Sequence, residues 1–262
     1  MTFFLATSDV QSQLVRSLTL SAMNDAPAND RINITWAACP RWATSASADL
    51  VDTVERLGGL WAIVFIDIQG TGIGGRRLAG NLMHMTRQGL ATGMSPRTVI
   101  QAVHEHLFAF RQGKVGASIH VATINAQGDE VQISGLGPLS SARLVDGRWQ
   151  TTPLDSPPAG YAGDVETADV ALGLAPGQRV VIANDGIAHG TVELKNLISH
   201  LDPDCNDPLV AQRVLDVAVG RDEGRPRSDM AVAAVSRSNC RDQARMIHAH
   251  VSYPAKRHRS DA

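Results

Sequence analysis

Several aspartates stand where apolar strands run out, and that placement is the strongest chemical signal in the chain. Asp67 directly follows the run Leu60–Ile66 (LWAIVFI) and precedes Ile68-Gln69-Gly70-Thr71-Gly72. Asp185 follows RVVIAN and precedes Gly186, and Asp229 opens the run MAVAAV after a polar stretch. Asp49 and Asp52 lie shortly before the first of these runs. A charge at the edge of a buried strand is destabilising unless it is paired or bound to metal. Few basic residues flank these positions. Carboxylates converging from separate strands supply the oxygen ligands that Mg²⁺ and Mn²⁺ prefer. Each aspartate alone reads as the start of a turn. Taken jointly, and with glycine following, they make metal binding a competing account.

Other motifs lack the residues that would complete them. Gly70, Gly72 and Gly75 fit G-x-G-x-x-G after a strand and at the start of a helix, the arrangement that cradles a dinucleotide pyrophosphate. The acid expected about 20 residues later for the ribose is absent, because no Asp or Glu occurs between Asp67 and Glu105. Asp202, Asp204 and Asn206 begin a calcium-loop pattern, but Asp207 and Arg213 replace its glycine and its terminal glutamate. That segment reads as a solvated helix-capping loop. His104 and His106, like His248 and His250, are two residues apart and form no H-E-x-x-H, so surface or partly packed histidines are expected. Cys39, Cys205 and Cys240 are far apart and lack C-x-x-C spacing, which argues against a disulfide framework or thiolate zinc site and fits a reducing compartment.

The elements that must position the aspartates can be read from periodicity. Leu60–Ile66, Val115–Ile124 and Arg179–Ala183 are short continuous apolar runs, as expected of strands buried on both faces. Gly128-Asp129 and Asp146-Gly147 separate further short strands as hairpin turns, so the sheet is expected to be antiparallel. Helical spacing runs from about 74 to 90, from Pro96 to Phe110 with Ser95 as N-cap, and from about 208 to 219 with Asp207 as cap. The 262 residues are 44% hydrophobic and 19% charged, with a net charge of −2. Such a chain can bury a large core without staples. It is neither disordered nor a nucleic-acid binder working by phosphate neutralisation. The opening apolar run is too short for a signal peptide, and the longest apolar stretch, Leu57–Ile66, is about half of a bilayer span. One domain over 1–237, a basic tail over 238–262, no membrane association and a cytoplasmic location are therefore expected.

In the order of these motifs the chain resembles the SpoIIE-type bacterial branch of the metal-dependent (PPM) serine/threonine phosphatases. The family's G-D-x-x-G-x-G strand end is similar to Ile66-Asp67-Ile68-Gln69-Gly70-Thr71-Gly72. Its P-G-D-x-[LV]-[LV]-[LV]-Y-T-D-G segment resembles Pro176 to Gly186, and its Y-x-P…G-G-D-x-[YF]-D segment resembles Trp36 to Asp52. Ser134 to Pro138 is loosely similar to its A-G-[HN]-x-P, and Ser228-Asp229-Met230-Ala231 to its D-D-[IM]-[TA]. Each motif is short; their collinearity from about residue 14 to 237 carries the resemblance.

The resemblance implies an α+β fold, an αββα sandwich of two antiparallel β-sheets flanked by helices, with two Mn²⁺ or Mg²⁺ ions at one sheet edge. Asp67 would bridge the two metals, Asp49 would serve one and Asp185 the other, and the Ile68 carbonyl would face a metal. The last metal aspartate of the family falls on Ser228, with Asp229 its neighbour. Arg41, and Arg76 or Arg77, are candidates to bind the substrate phosphate. The implied activity is hydrolysis of phosphoserine or phosphothreonine on a small regulatory protein, such as an anti-anti-sigma factor, with no nucleic-acid or membrane partner and the oligomeric state left open. Departures are G-G-D replaced by Ser47-Ala48-Asp49, T-D-G replaced by Asn184-Asp185-Gly186, and His189 where an acid often follows. Ser228 in place of a carboxylate implies weak activity, or a non-catalytic module that holds a phosphoprotein.

Overall fold

The computed structural model describes residues 14–21, 30–44, 47–70, 72–201 and 209–239. Its elements in chain order are β1 (Leu14–Ser21), β2 (Asp30–Cys39), β3 (Leu50–Glu55), β4 (Trp61–Ile68), α1 (Gly72–Ala91), α2 (Pro96–Arg111), β5 (Ala117–Ile124), β6 (Glu130–Leu136), β7 (Leu139–Val145), β8 (Arg148–Leu154), β9 (Ala168–Gly173), β10 (Arg179–Ala183), α3 (Thr191–Ile198), α4 (Val210–Arg221) and β11 (Met230–Asn239). The strands form two antiparallel sheets. One has six strands in the order β1-β2-β11-β10-β7-β8, and the other has five in the order β3-β4-β5-β6-β9. Helices α1 and α2 pack on the five-stranded sheet, and α3 and α4 on the six-stranded one. This is the expected αββα sandwich.

Side-chain alternation explains why both sheets are apolar on both faces. Val180 and Ile182 of β10 point into the layer between the sheets, with Ile34, Trp36, Ile63 and Phe65. Val181 and Ala183 point to the other face, against Leu194, Val214 and Leu215 of α3 and α4. On the opposite side Val64 and Ile66 of β4 meet Leu82 of α1 and Ile100 of α2. Such continuous burial is why RVVIA and LWAIVFI show no polar alternation.

Two turns form as their residues dictate. Asp146 and Gly147 both adopt positive φ (48° and 72°) between β7 and β8, the conformation a two-residue hairpin requires. The other hairpin is longer. Gly128 alone takes positive φ, and Asn125 braces the loop by exchanging hydrogen bonds with Asp129. Ser95 caps α2 as expected, its Oγ accepting from the Thr98 N–H at 3.2 Å.

The structure corrects several expectations. Asp67 lies inside β4, opposite Ser118, instead of following the strand. Asp52 sits within β3 and pairs with Arg87 of α1 at 2.5 Å, away from the other aspartates. His104 is fully buried, its Nδ1 accepting from Gly160 N–H at 3.1 Å, because α2 turns this face onto the 159–163 loop. Helix α4 starts at Val210; Asp207, the calcium-like segment, Cys205, Cys240, and His248 with His250 lie outside the described residues. Among the described residues, no helix is long and apolar enough to cross a membrane.

Candidate functional site

Four aspartates meet where the two sheets face each other at one edge. In the five-stranded sheet Phe65 and Ile63 point between the sheets, so the period of two aims Asp67 into the same gap. Asp49 enters from the residue before β3, where its N–H donates to Ser47 Oγ at 2.9 Å and the Ser47 hydroxyl donates to the Asp49 carbonyl at 2.9 Å. From the six-stranded sheet come Asp185, two residues beyond β10, and Asp229, the residue before β11. Asp49 is buried; Asp67, Asp185 and Asp229 are half-buried.

These groups strain one another electrostatically. The Asp67 carboxyl lies beside those of both Asp49 and Asp185. Burial, then the neighbouring charge and hydrogen bond of Asp67, then Asp229 and Asp185, hold the Asp49 pKa well above the carboxylate range. Burial also pushes Asp67 up to about 6; the hydrogen bond from Asp49 partly offsets this, and the charges of Asp185 and Asp229 add to it. Among the described residues, no three His, Cys, Asp or Glu side chains are gathered as a set that could hold an ion, and the carboxyls close on one another in pairs. In kind the donors fit a hard divalent cation: oxygen only, crowded, and with mutual repulsion that a cation would relieve.

Asn184 joins the two halves of the site. It is buried at the end of β10, and its Nδ2 donates across the gap to Asp49 Oδ2 at 2.7 Å and to the Asp229 carbonyl at 3.2 Å. Its Oδ1 accepts from the N–H groups of Ala231 (2.9 Å) and Ile187 (3.3 Å). Asp229 has a different occupation from a free ligand. Its Oδ1 accepts from Arg41 N–H at 2.6 Å and its Oδ2 from Ala48 N–H at 2.7 Å, so it clamps both ends of the 41–48 loop. Beyond Asp185, Arg221 of α4 donates to the Ile187 carbonyl at 2.8 Å and the Gly186 carbonyl at 3.3 Å, and pairs with Glu193.

The remaining candidates are placed as follows. Ile68 ends β4 opposite Ala117, with its side chain in the α1-side core. Ser228 is half-buried beside Asp229. Arg41 is exposed on the 41–48 loop, and Arg76 and Arg77 are exposed near the start of α1. Reading the sequence assigned no role to Asn184 or Arg221, since each acts through partners remote in the chain. His120 also went unnoticed inside an apolar run. It is buried, bonded through Nε2 to the Gly137 carbonyl at 3.1 Å, and pushed down to about 4 by burial, partly offset by that bond.

Gly186 follows Asp185 because of a close approach. A Cβ there would stand 1.9 Å from the Asp229 carbonyl oxygen. Gly186→Ala must therefore separate β10 from the start of β11, and is expected to destabilise the fold by at least about 2 kcal/mol in denaturant unfolding.

A family model described as Stage II sporulation protein E (SpoIIE) matches residues 58–238. A search of curated protein sequences finds no match. Among solved structures, the PP2C phosphatase domain of SpoIIE from Bacillus subtilis, with a fragment of its regulatory domain, aligns with a TM-score of 0.67 at 18% identity. The alignment covers 79% of this chain and 63% of that one, so the chain spans less than two thirds of that relative. The S. agalactiae serine/threonine phosphatase aligns with a TM-score of 0.64 at 14% identity, covering 78% of this chain and 99% of that one. RsbX, solved in complex with magnesium, gives 0.61 at 10% identity over 79% and 96% of the two chains. At these identities the likeness is one of fold.

Proposed function

The chain belongs to the SpoIIE family, and from that premise we propose that it hydrolyses phosphoserine or phosphothreonine on a small regulatory protein, using Mn²⁺ or Mg²⁺. The observation that carries this reading is the placing of Asp67 next to Asp49 on one side and Asp185 of the other sheet on the other, with raised proton affinity at Asp49 and Asp67. The magnesium bound to RsbX, a protein of the same fold, supports the choice of metal. The partner suggested by the family is an anti-anti-sigma (STAS-like) protein.

Asp49, Asp67 and Asp185, with the Ile68 carbonyl, would hold the ions. Divalent ions held there would supply a water of lowered pKa and positive charge for the phosphoryl group. The protein's own part is to present the carboxylates. Asn184 orients Asp49 by its 2.7 Å bond, and Arg221 fixes the backbone that follows Asp185. Asp67, pushed up to about 6, is largely ionised at neutral pH. Cys39, the free cysteine among the described residues, is buried, and desolvation with nearby Asp229 and Asp216 pushes its thiol up to about 11, so it offers no thiolate nucleophile.

The test is p-nitrophenyl phosphate hydrolysis with Mn²⁺, with EDTA, and in Asp185→Ala. A Mn²⁺-dependent rate that EDTA and the substitution both remove is expected; a rate indifferent to all three sinks the enzyme reading. A second reading, a non-catalytic module that holds a phosphoprotein, is favoured by Ser228 and by the occupation of both Asp229 oxygens with backbone amides. Ser228→Asp separates the two. Tighter Mn²⁺ binding with new turnover in an otherwise inactive chain would mark the native protein as the binding module.

A further inference from the structure

Two loops dock on each other at the rim of the carboxylate centre. The Trp42 N–H donates to the Pro226 carbonyl at 2.8 Å, and the Arg225 guanidinium lies 5.7 Å from the Trp42 ring centroid, within cation–π range. Arg41 N–H is held by Asp229 at 2.6 Å, and Arg227 N–H by Asp222 at 3.0 Å. These bonds fix both loops beside Asp229. Arg41, Arg225 and Arg227 are all exposed there. Trp42 is 40% exposed at the same place.

Among these arginines, Arg225 keeps its charge for a partner. Asp222 is buried, engaged by Arg221 at 3.0 Å and by the Arg227 N–H, and it offsets part of the Arg227 charge, while Asp229 is turned inward onto the loop amides. Glu223 is the exposed acid of the 222–228 turn. Arg225 forms no ion pair among the described residues. An acidic centre is thus bordered by a basic, aromatic rim.

We propose that Trp42 and Arg225, with Arg227 beside them, form a docking surface for acidic residues flanking the phosphorylated serine or threonine. The proposal rests on the phosphatase reading of the adjacent site and names the kind of sequence that site accepts. A phosphoserine side chain is short, so a phosphate seated among the aspartates brings its flanking residues over the rim. Guanidinium groups match carboxylates with paired N–H donors. The indole adds a flat apolar face at little conformational entropy.

Two phosphoserine peptides of equal length test this, one flanked by aspartates and the other by serines. Each is followed by Mn²⁺-dependent phosphate release and, in EDTA, by fluorescence anisotropy of a labelled copy. The intact chain is expected to show a KM about fivefold lower for the acidic peptide, with similar kcat, as a few exposed charge pairs would give. High salt should erase the difference. Arg225→Glu should bring the KM ratio to one or invert it, and Arg225→Lys should keep it. Equal KM values in the wild type, or a ratio unmoved by Arg225→Glu, overturn the docking surface. If neither peptide is hydrolysed, the phosphatase reading fails separately. The anisotropy ratio then decides the surface, and equal affinities overturn it.

Discussion

Replacing Asp67 with asparagine is expected to abolish Mn²⁺-dependent turnover and, in the same protein, to raise the melting temperature of the metal-free chain near neutral pH. The two effects have one cause. Asp67 is pressed against Asp49 and Asp185 in a partly desolvated gap, and its pKa rises from 3.8 to about 6. A shift of that size corresponds to destabilisation on the order of 3 kcal/mol once the group is ionised. Asparagine keeps the shape and discards the charge. The gain should appear as roughly 6–12 °C in Tm for a domain of this size. Turnover is lost because the residue in contact with both neighbouring carboxyls no longer brings a negative oxygen.

The pH dependence follows with a definite sign. Between pH 3.8 and about 6 the folded state binds more protons at Asp67 than the unfolded state does, so stability falls as pH rises through that window. His120 works the other way. Its pKa is lowered from 6.5 to about 4, so the folded state binds fewer protons and stability is lost as pH falls through that range. The diagnostic quantity is therefore the difference between wild type and Asp67→Asn, in which the histidine contribution cancels. Identical Tm-versus-pH curves would show that the Asp67 carboxylate is not under electrostatic strain. If Asp67 is a metal ligand, saturating Mn²⁺ should stabilise the wild type more than Asp67→Asn.

The largest loss of stability from a single side chain is expected at Asn184. Asn184→Leu preserves volume but strips the donor from Asp49 and the Asp229 carbonyl, and the acceptor from the Ala231 and Ile187 amides. Buried polar groups left without partners destabilise by about 1–3 kcal/mol each, and charged ones by more. Relaxation will recover some of that, leaving about 3–5 kcal/mol in denaturant unfolding. Asn184→Asp makes the reason visible. It keeps the acceptor oxygens but sets another carboxyl against Asp49, so it should be weak at neutral pH and recover in mild acid, where a protonated carboxyl can donate. A Leu variant as stable as wild type would show that the amide does not hold the sheets together here.

How far the site can be read from the chain depends on how local its causes are. Asp67, Asp185 and Asp229 announce themselves because each adjoins an apolar run, and collinear motifs order them. The limits appear where the partner is distant. Asp229 reads as a free ligand until its oxygens are seen to accept from amides 188 and 181 positions away. Asn184 reads as a substitution in a motif until its bond to Asp49, 135 positions away, is on view. Strand β3 (LVDTVE) escapes notice because Asp52 and Thr53 break its apolar run, and it lies at the edge of its sheet. Helix α3 has only eight residues and a glycine N-cap without a capping side chain, so it lacks a start signal. The hairpins β5–β6 and β7–β8 are legible for the opposite reason, since their turns carry the conformational requirement in adjacent residues.

The position of β11 sets the order in which the site can assemble during synthesis. Strands β3, β4, β5 and β6 pair with sequence neighbours and can close as they leave the ribosome. Strand β2 can pair with β1 on one edge, but its other edge waits for β11, with Cys39 opposite Met230. Distant pairings of this kind form slowly and leave an open strand edge in the meantime. A nascent chain can thus bring Asp49 and Asp67 together early, while the Asp229 clamp and the Asn184 bond to Ala231 wait for β11 to insert between β2 and β10. The carboxylate centre is then completed as the last event of folding, and a chain interrupted before β11 has Asp49 and Asp67 without the strand that locks them to the other sheet.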